Sequence, residues 1–192
     1  MDPSDPLAPL PELLSVIAYA DGSGYTARIV GEGGAVILAA IPCGCGVVLY
    51  DGEGGPELEA HAKPLGIGTS NYAEVCALGL TLRRATSAEY LRRPFVVRSD
   101  SLYALRAVFG GHTPHPAAPN ARVILAAQDL LRLRRAQGAD VRWEHVRGHS
   151  GVTGNERADA LAKAGREAAT AAAVAAGWVD PRPPRKNARK TP

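Results

Sequence analysis

Aromatic residues make up only 5% of this 192-residue chain, with two Trp and two Phe, which excludes a design built on a platform of stacking rings. The core must instead be packed from Ala, Val, Leu and Ile. Cysteine is also scarce. Cys43, Cys45 and Cys76 form an odd set without CxxC spacing, which supports neither a disulfide framework nor a four-ligand zinc site and favours a reducing compartment. No run approaches the ~20 apolar residues of a membrane span. The amino terminus opens on Asp2, Pro3, Asp5 and Pro6 instead of a positive region ahead of an apolar stretch, so no secretory signal is expected. The expected setting is cytoplasmic, or nuclear if the basic carboxy-terminal residues act as an address.

With 46% hydrophobic and 21% charged residues, the chain has the length and composition of one well-packed domain. Its net charge of +3 is unevenly placed. From Pro181 onward Arg182, Arg185, Lys186, Arg189 and Lys190 contribute +5 with no acid, so residues 1–180 carry a net −2. The body is slightly acidic, and the basic character belongs to the tail.

The expected organisation is a Pro-rich disordered leader (1–14), a folded domain (15–167), an Ala-rich helical extension (168–180) and a basic Pro-rich tail (181–192). Val16–Ala20 reads as a buried strand ending at Asp21-Gly22-Ser23-Gly24. Gly46–Tyr50, the Asp51-Gly52 turn and the alternation from Leu58 to Lys63 read as a hairpin with one wet face. Thr69 or Ser70 can cap a helix that carries Ala73, Ala77 and Leu80. A strand over Pro94–Asp100, helices around Leu102–Phe109 and Ala121–Gln137, a strand over Val141–Val146 and a helix from Asn155 to about Ala176 complete the order. Such an order predicts an α/β layer protein, a mixed sheet in which a hairpin joins strands linked through helices.

Asp21 and Asp100 both end apolar strands, and neighbouring strands would set their carboxylates one strand spacing apart. Glu74 and Asp159 lie in the first turns of the first and last long helices, where both can point at the same strand ends. Four acids converging with no Lys or Arg between them form an oxygen-ligand site suited to Mg²⁺ or Mn²⁺.

The motifs carrying these acids are Asp21-Gly22-Ser23, Asn71-Tyr72-Ala73-Glu74, Ser99-Asp100-Ser101 and the run from Gly148-His149-Ser150-Gly151 to Asn155-Glu156-Arg157-Ala158-Asp159. In this order and spacing they resemble the type 1 ribonuclease H family, from about Val16 to Gly165. The resemblance implies a ribonuclease H-like fold with a five-stranded mixed sheet flanked by helices. It also implies cleavage of the RNA strand of RNA–DNA hybrids to 5′-phosphate and 3′-hydroxyl ends, by two Mg²⁺ ions that Mn²⁺ can replace. In that scheme Asp21 bridges both ions, Glu74 and Asp100 hold the one nearer the leaving oxygen, and Asp159 the one carrying the water. His149 matches a mobile histidine that assists proton transfer or product departure. Gly22, Ser23, Asn71, Ser101 and Asn155 would contact substrate, being small polar groups suited to a 2′-hydroxyl and sugar edge. Capping or turn roles are the alternative for Ser23, Asn71 and Asn155.

Glu156 is expected to be a helix-dipole acid and no ligand, Trp143 a core or cleft-wall residue, and His61, His112, His115 and His145 exposed or packing residues. Two departures from the family pattern concern binding. Gly24–Pro42 inserts a stretch expected to form an extra hairpin arm, and Gly110–Asn120 lacks the basic, Trp-containing projection. The tail is a candidate substitute, adding sequence-blind contacts to phosphates. A monomer is expected. The rival readings are a non-catalytic nucleic-acid-binding protein that retains the fold and a related nuclease for another duplex; excision from a larger polyprotein also stays open.

Overall fold

Alternation along the first apolar run places it in the middle of the molecule, because Val16, Ala18 and Ala20 pack into one hydrophobic cluster while Ile17 and Tyr19 pack into another. A strand with both faces buried needs layers on both sides. The computed structural model describes residues 14–30, 36–138 and 140–182. In chain order these form β1 (Val16–Ser23), β2 (Thr26–Val30), β3 (Val36–Asp51), β4 (Glu57–Gly68), α1 (Ser70–Ala85), β5 (Phe95–Ser99), α2 (Leu102–Phe109), α3 (Ala121–Ala136), β6 (Val141–His145) and α4 (Thr153–Ala175). The main sheet runs β4-β3-β1-β5-β6. Its β4/β3 and β3/β1 pairs are antiparallel, and β1/β5 and β5/β6 are parallel, as the helical crossovers require.

Helices α1, α2 and α3 cover one face, burying Leu78, Leu82, Leu105, Val108 and Ile124 with Val47, Leu49 and Val97 of the sheet. Complete burial of one such side chain contributes about 1.5–3 kcal/mol. Helix α4 covers the other face through Ala158 against Ile17, Tyr19 and Val48. It lies unusually close to β3. A Cβ on Gly46 would overlap backbone atoms of Ala158 and Ala162, and one on Gly44 those of Gly165 and Arg166.

The five-stranded mixed sheet expected from the motifs is present, and the insertion after Ser23 adds a sixth strand. Thr26–Val30 pairs antiparallel with Val36–Ala40, so β3 begins ten residues before the expected Gly46 and its first half belongs to a hairpin arm. Strand β1 also continues two residues past Asp21, because Gly22 and Ser23 pair with Cys45 and Gly44. Of the two candidate caps for α1, Thr69 is the one used; its hydroxyl accepts from the Tyr72 N–H at 3.1 Å. The Ala-rich extension is helical to Ala175. The leader, apart from Leu14, and the tail beyond Arg182 lie outside the described residues.

Among the buried residues that depart from the expected apolar core, Thr81, Gln128 and Arg134 included, only the last carries a guanidinium. Arg134 of α3 is fully buried, and its guanidinium donates to the carbonyls of Tyr90, Leu91 and Arg93. A charge is tolerated there because it satisfies backbone acceptors in the turn before β5 that would otherwise be unpaired.

Candidate active site

Strands β1 and β5 are parallel neighbours, with Tyr19 opposite Arg98, so Asp21 near the end of β1 and Asp100 just past the end of β5 emerge side by side. Glu74 reaches them from α1. The helix can come this close because position 22 has no side chain: a Cβ on Gly22 would lie 2.6 Å from the Ala73 carbonyl carbon and nearer still to the Glu74 nitrogen. The Gly22 N–H then serves both acids, donating to Asp21 Oδ1 at 2.8 Å and to Glu74 Oε2 at 3.1 Å. The result is a triad in which ligand oxygens of Asp21, Glu74 and Asp100 lie within 4.8 Å of one another. Among the described residues no Lys or Arg forms an ion pair with any of the three.

Bare carboxylates this close are costly to ionise. Burial first, then the charges of Asp100 and Asp159, push the Asp21 carboxyl well above its ordinary range. Burial, followed by the charges of Asp21 and Asp100, raises Glu74 as well, against the opposing Gly22 hydrogen bond. Such a donor set, all oxygen, preassembled and short of positive charge, has the chemistry of a divalent-cation site.

Asp159 belongs to a second grouping. It stands on α4 with Glu156 and, across the preceding loop, His149, and these three offer ligand atoms within 4.8 Å of one another. One expectation is corrected here. Lys163 is interleaved among the acids after all, pairing with Asp159 from one helical turn away. Glu156 is the first-turn acid of α4 that its sequence position implies; its carboxylate also lies near Asp159 and His149 and accepts from the Gly151 N–H at 3.4 Å. His149 is exposed and has φ 51°, in the left-handed region that few non-glycine residues adopt.

The residues expected to contact substrate divide into two sets. Asn71 is exposed in the first turn of α1 and lines a cavity of about 1210 Å³ with Thr69, Tyr103, Arg106 and Asn120. Ser101 caps α2, its hydroxyl accepting from the Ala104 N–H at 3.3 Å, and Ser23 is buried at the end of β1. Asn155 is only 2% exposed and neither caps α4 nor faces outward; its amide donates to Asp100 Oδ2 at 3.3 Å. The structure therefore makes Asn155 a positioning residue for Asp100.

Two further residues position Asp100, and neither is marked for that role by the sequence. The Gly148 backbone passes so close that a Cβ there would lie 2.6 Å from Asp100 Oδ2, and His145 Nε2 lies 3.2 Å from the Asp100 carbonyl. Nothing in the spelling of a strand-end His distinguishes the second. Trp143, expected in the core or cleft wall, is 39% exposed on the edge strand, its ring 6.3 Å from that of Phe109.

A family model described as RNase H matches residues 14–167. Human Ribonuclease H1 is 30% identical over 125 residues, covering 62% of this chain and 43% of the human protein. Ribonuclease H of Rhodospirillum rubrum is 35% identical over 131 residues, covering 65% of this chain and 74% of the relative. The chain thus spans less than half the length of its human relative. Among solved structures, LC11-RNase H1 in complex with an RNA/DNA hybrid superposes with a TM-score of 0.59 at 23% identity, covering 81% of this chain and 99% of that one. The motifs, the sheet order that brings the acids together and a model match over most of the chain agree, and the protein belongs to the RNase H family.

Proposed function

We propose that the protein is an endonuclease that hydrolyses the RNA strand of RNA–DNA hybrids, leaving 5′-phosphate and 3′-hydroxyl ends. The observation that carries this reading is the meeting of Asp21, Glu74 and Asp100, from three separate elements, within 4.8 Å. The family is metal-dependent, and the cluster suits hard divalent cations, which we take to be two Mg²⁺ ions with Mn²⁺ as a substitute. Asp21, Glu74, Asp100 and Asp159 would hold them, and when bound they would supply Lewis acidity and an activated water for in-line displacement at phosphorus.

The chain's own groups then have distinct tasks. Gly22 fixes the relative placement of Asp21 and Glu74 through one shared N–H. Asn155, Gly148 and His145 hold Asp100 in place. His149, exposed on its loop beside Glu156 and Asp159, would exchange a proton with solvent next to a departing product. The solved complex of LC11-RNase H1 with an RNA/DNA hybrid supports the choice of substrate.

The test is hydrolysis of an end-labelled RNA–DNA duplex with Mg²⁺ or Mn²⁺, by wild type and by Asp21→Asn. Cleavage confined to the RNA strand and lost in the variant is the expected result. Binding without cleavage in wild type would favour a non-catalytic hybrid-binding protein, and equal cleavage of DNA duplexes a nuclease of other specificity.

A further inference from the structure

The four proposed cation ligands differ in what already holds them. Asp21 and Glu74 accept from the Gly22 N–H and Asp100 from the Asn155 amide, all neutral donors. Asp159 is held by a charge. Among the described residues Lys163 is the one base that forms an ion pair with any of the four, its ammonium donating to Asp159 Oδ2. An acid followed by lysine at i,i+4 is common on exposed helices and contributes little there. The setting of this pair is different, because the Asp159 side chain is 18% exposed against 50% for Lys163. The lysine therefore reaches in from solvent over a carboxylate that is mostly covered.

Lys163 also answers to the other acidic group. The hydrogen bond to Asp159 first, then the charges of Asp159 and Asp21, hold its ammonium above the ordinary lysine range, against desolvation and the charge of Arg166. Asp159 is likewise one of the charges that raise Asp21. Asp21, Asp159 and Lys163 are thus within electrostatic reach of one another. A divalent ion held by Asp159 meets the ammonium at short range, and their repulsion is twice that of two unit charges at the same distance. The triad of Asp21, Glu74 and Asp100 presents no such obstacle, since no base pairs with it among the described residues.

Resting on the two-cation reading above, we infer that Lys163 is a built-in competitor for the cation at Asp159. Its ammonium neutralises that carboxylate until a divalent ion displaces it, so the triad loads first and the Asp159 position second, at higher metal concentration. A bound phosphate backbone favours the exchange, because it adds negative charge for the incoming ion and a new acceptor for the freed ammonium. Lys163 thereby ties occupancy of the second position to the presence of substrate. It is a positioning residue, acting through Asp159.

The test titrates the full chain with Mn²⁺ and no nucleic acid, following free Mn²⁺ by electron paramagnetic resonance. Wild type should take up one ion in a tighter step and a second in a weaker one. Lys163→Gln should tighten the weaker step about five- to twentyfold and leave the tighter one within about twofold, because a unit charge acts on a divalent ion mainly at short range in salt water. Lys163→Arg should behave as wild type, and Asp159→Asn should abolish the weaker step with either residue at 163. Arg166→Gln, which removes a like charge from the following turn of α4, should move either step by less than about twofold. In hybrid cleavage the Mg²⁺ concentration for half-maximal rate should fall in Lys163→Gln by a similar factor, a shift that a merely structural role would not produce. The proposal is overturned by a weaker step that Lys163→Gln leaves unchanged, that Arg166→Gln tightens equally, or that survives Asp159→Asn. If wild type binds a single ion over the range measured, a second must appear in Lys163→Gln, and one step in both proteins also overturns it. Absence of hybrid cleavage by the wild type would instead remove the nuclease reading, and the Mn²⁺ titrations would still decide the role of Lys163.

Discussion

Replacing Asp21 by Asn should abolish hydrolysis and at the same time make the metal-free protein more stable. The ligand atoms of Asp21, Glu74 and Asp100 lie within 4.8 Å of one another. At an effective dielectric of about 20, two unit charges at that separation repel by 332/(20 × 4.8), about 3.5 kcal/mol. Asparagine removes the charge and keeps an oxygen for the Gly22 N–H that now donates to Asp21 Oδ1. Because the wild type escapes part of the repulsion by holding protons on the raised Asp21 and Glu74 carboxyls, the expected gain is about 3 kcal/mol at pH 8. For a chain of this size that corresponds to roughly 6–12 °C in Tm. The sign with pH follows from the raised folded-state values. At about pH 3 and below, under the unfolded Asp value of 3.8, both folded and unfolded Asp21 carboxyls are protonated and the variants should melt together; the gap opens as pH rises through the unfolded value and is complete above the folded one. Thermal melts in chelator at pH 5 and pH 8, repeated with saturating Mg²⁺, provide the measurement. An Asn variant that melts at or below wild type at pH 8 without metal would refute this electrostatic account of the cluster.

Three further outcomes are expected. Gly148→Ala brings a methyl to 2.6 Å from Asp100 Oδ2, and since a carboxylate can swing aside, activity should fall about 10–100-fold while Tm changes by less than about 3 °C. Gly22→Ala meets backbone instead, at Ala73 and Glu74, and should cost about 3 kcal/mol of stability as well as activity, read by denaturant melts. Burial would raise the Glu59 carboxyl, but hydrogen bonds from Arg84, His61 and Tyr90 outweigh it and hold it down to about 2. Its contribution is present above the unfolded value near 4.5 and lost as pH falls toward 2, so Glu59→Gln should cost about 1–3 kcal/mol at pH 7 and progressively less in acid.

Elements with their own periodicity or punctuation are legible in the sequence. Asp51-Gly52 marks the β3–β4 turn, and Thr69 with the three- and four-residue spacing after it marks α1. The acids near the ends of β1 and β5 are legible for a similar reason, since an apolar run that stops at Asp marks where a strand leaves the core, although β1 itself pairs on to Ser23. What tertiary contact decides is not. The place of Glu156 is hidden because a first-turn acid on a helix satisfies the dipole whether or not it also faces His149. Asn155 is expected to meet substrate, but its burial depends on how α4 sits on the sheet, which no local pattern records. Lys163 stands at i,i+4 spacing from Asp159, yet a helix offers other rotamers to a lysine, and the convergence of acids from other elements says nothing about a base in the next turn. The start of β3 at Val36 is hidden because an inserted strand extends its neighbour without any new turn signal at Gly46.

The approach of α4 to β3 at Gly44 and Gly46 reaches beyond packing. Asp21, Glu74 and Asp100 are carried by β1, α1 and the end of β5, whereas Glu156 and Asp159 ride on α4, so the gap between the two acidic groups is a helix-to-strand spacing. That spacing is set on β3, a strand that contributes no acid to either group. A methyl on Gly46 would act like a shim under a hinge plate, lifting Asp159 from Asp21 while leaving every carboxylate chemically intact. In a screen for loss of activity such a variant would look like a ligand mutant, and only an Asp21 carboxyl still raised by burial, yet eased downward as the Asp159 charge recedes, would reveal that the ruler, and not the chemistry, had been altered.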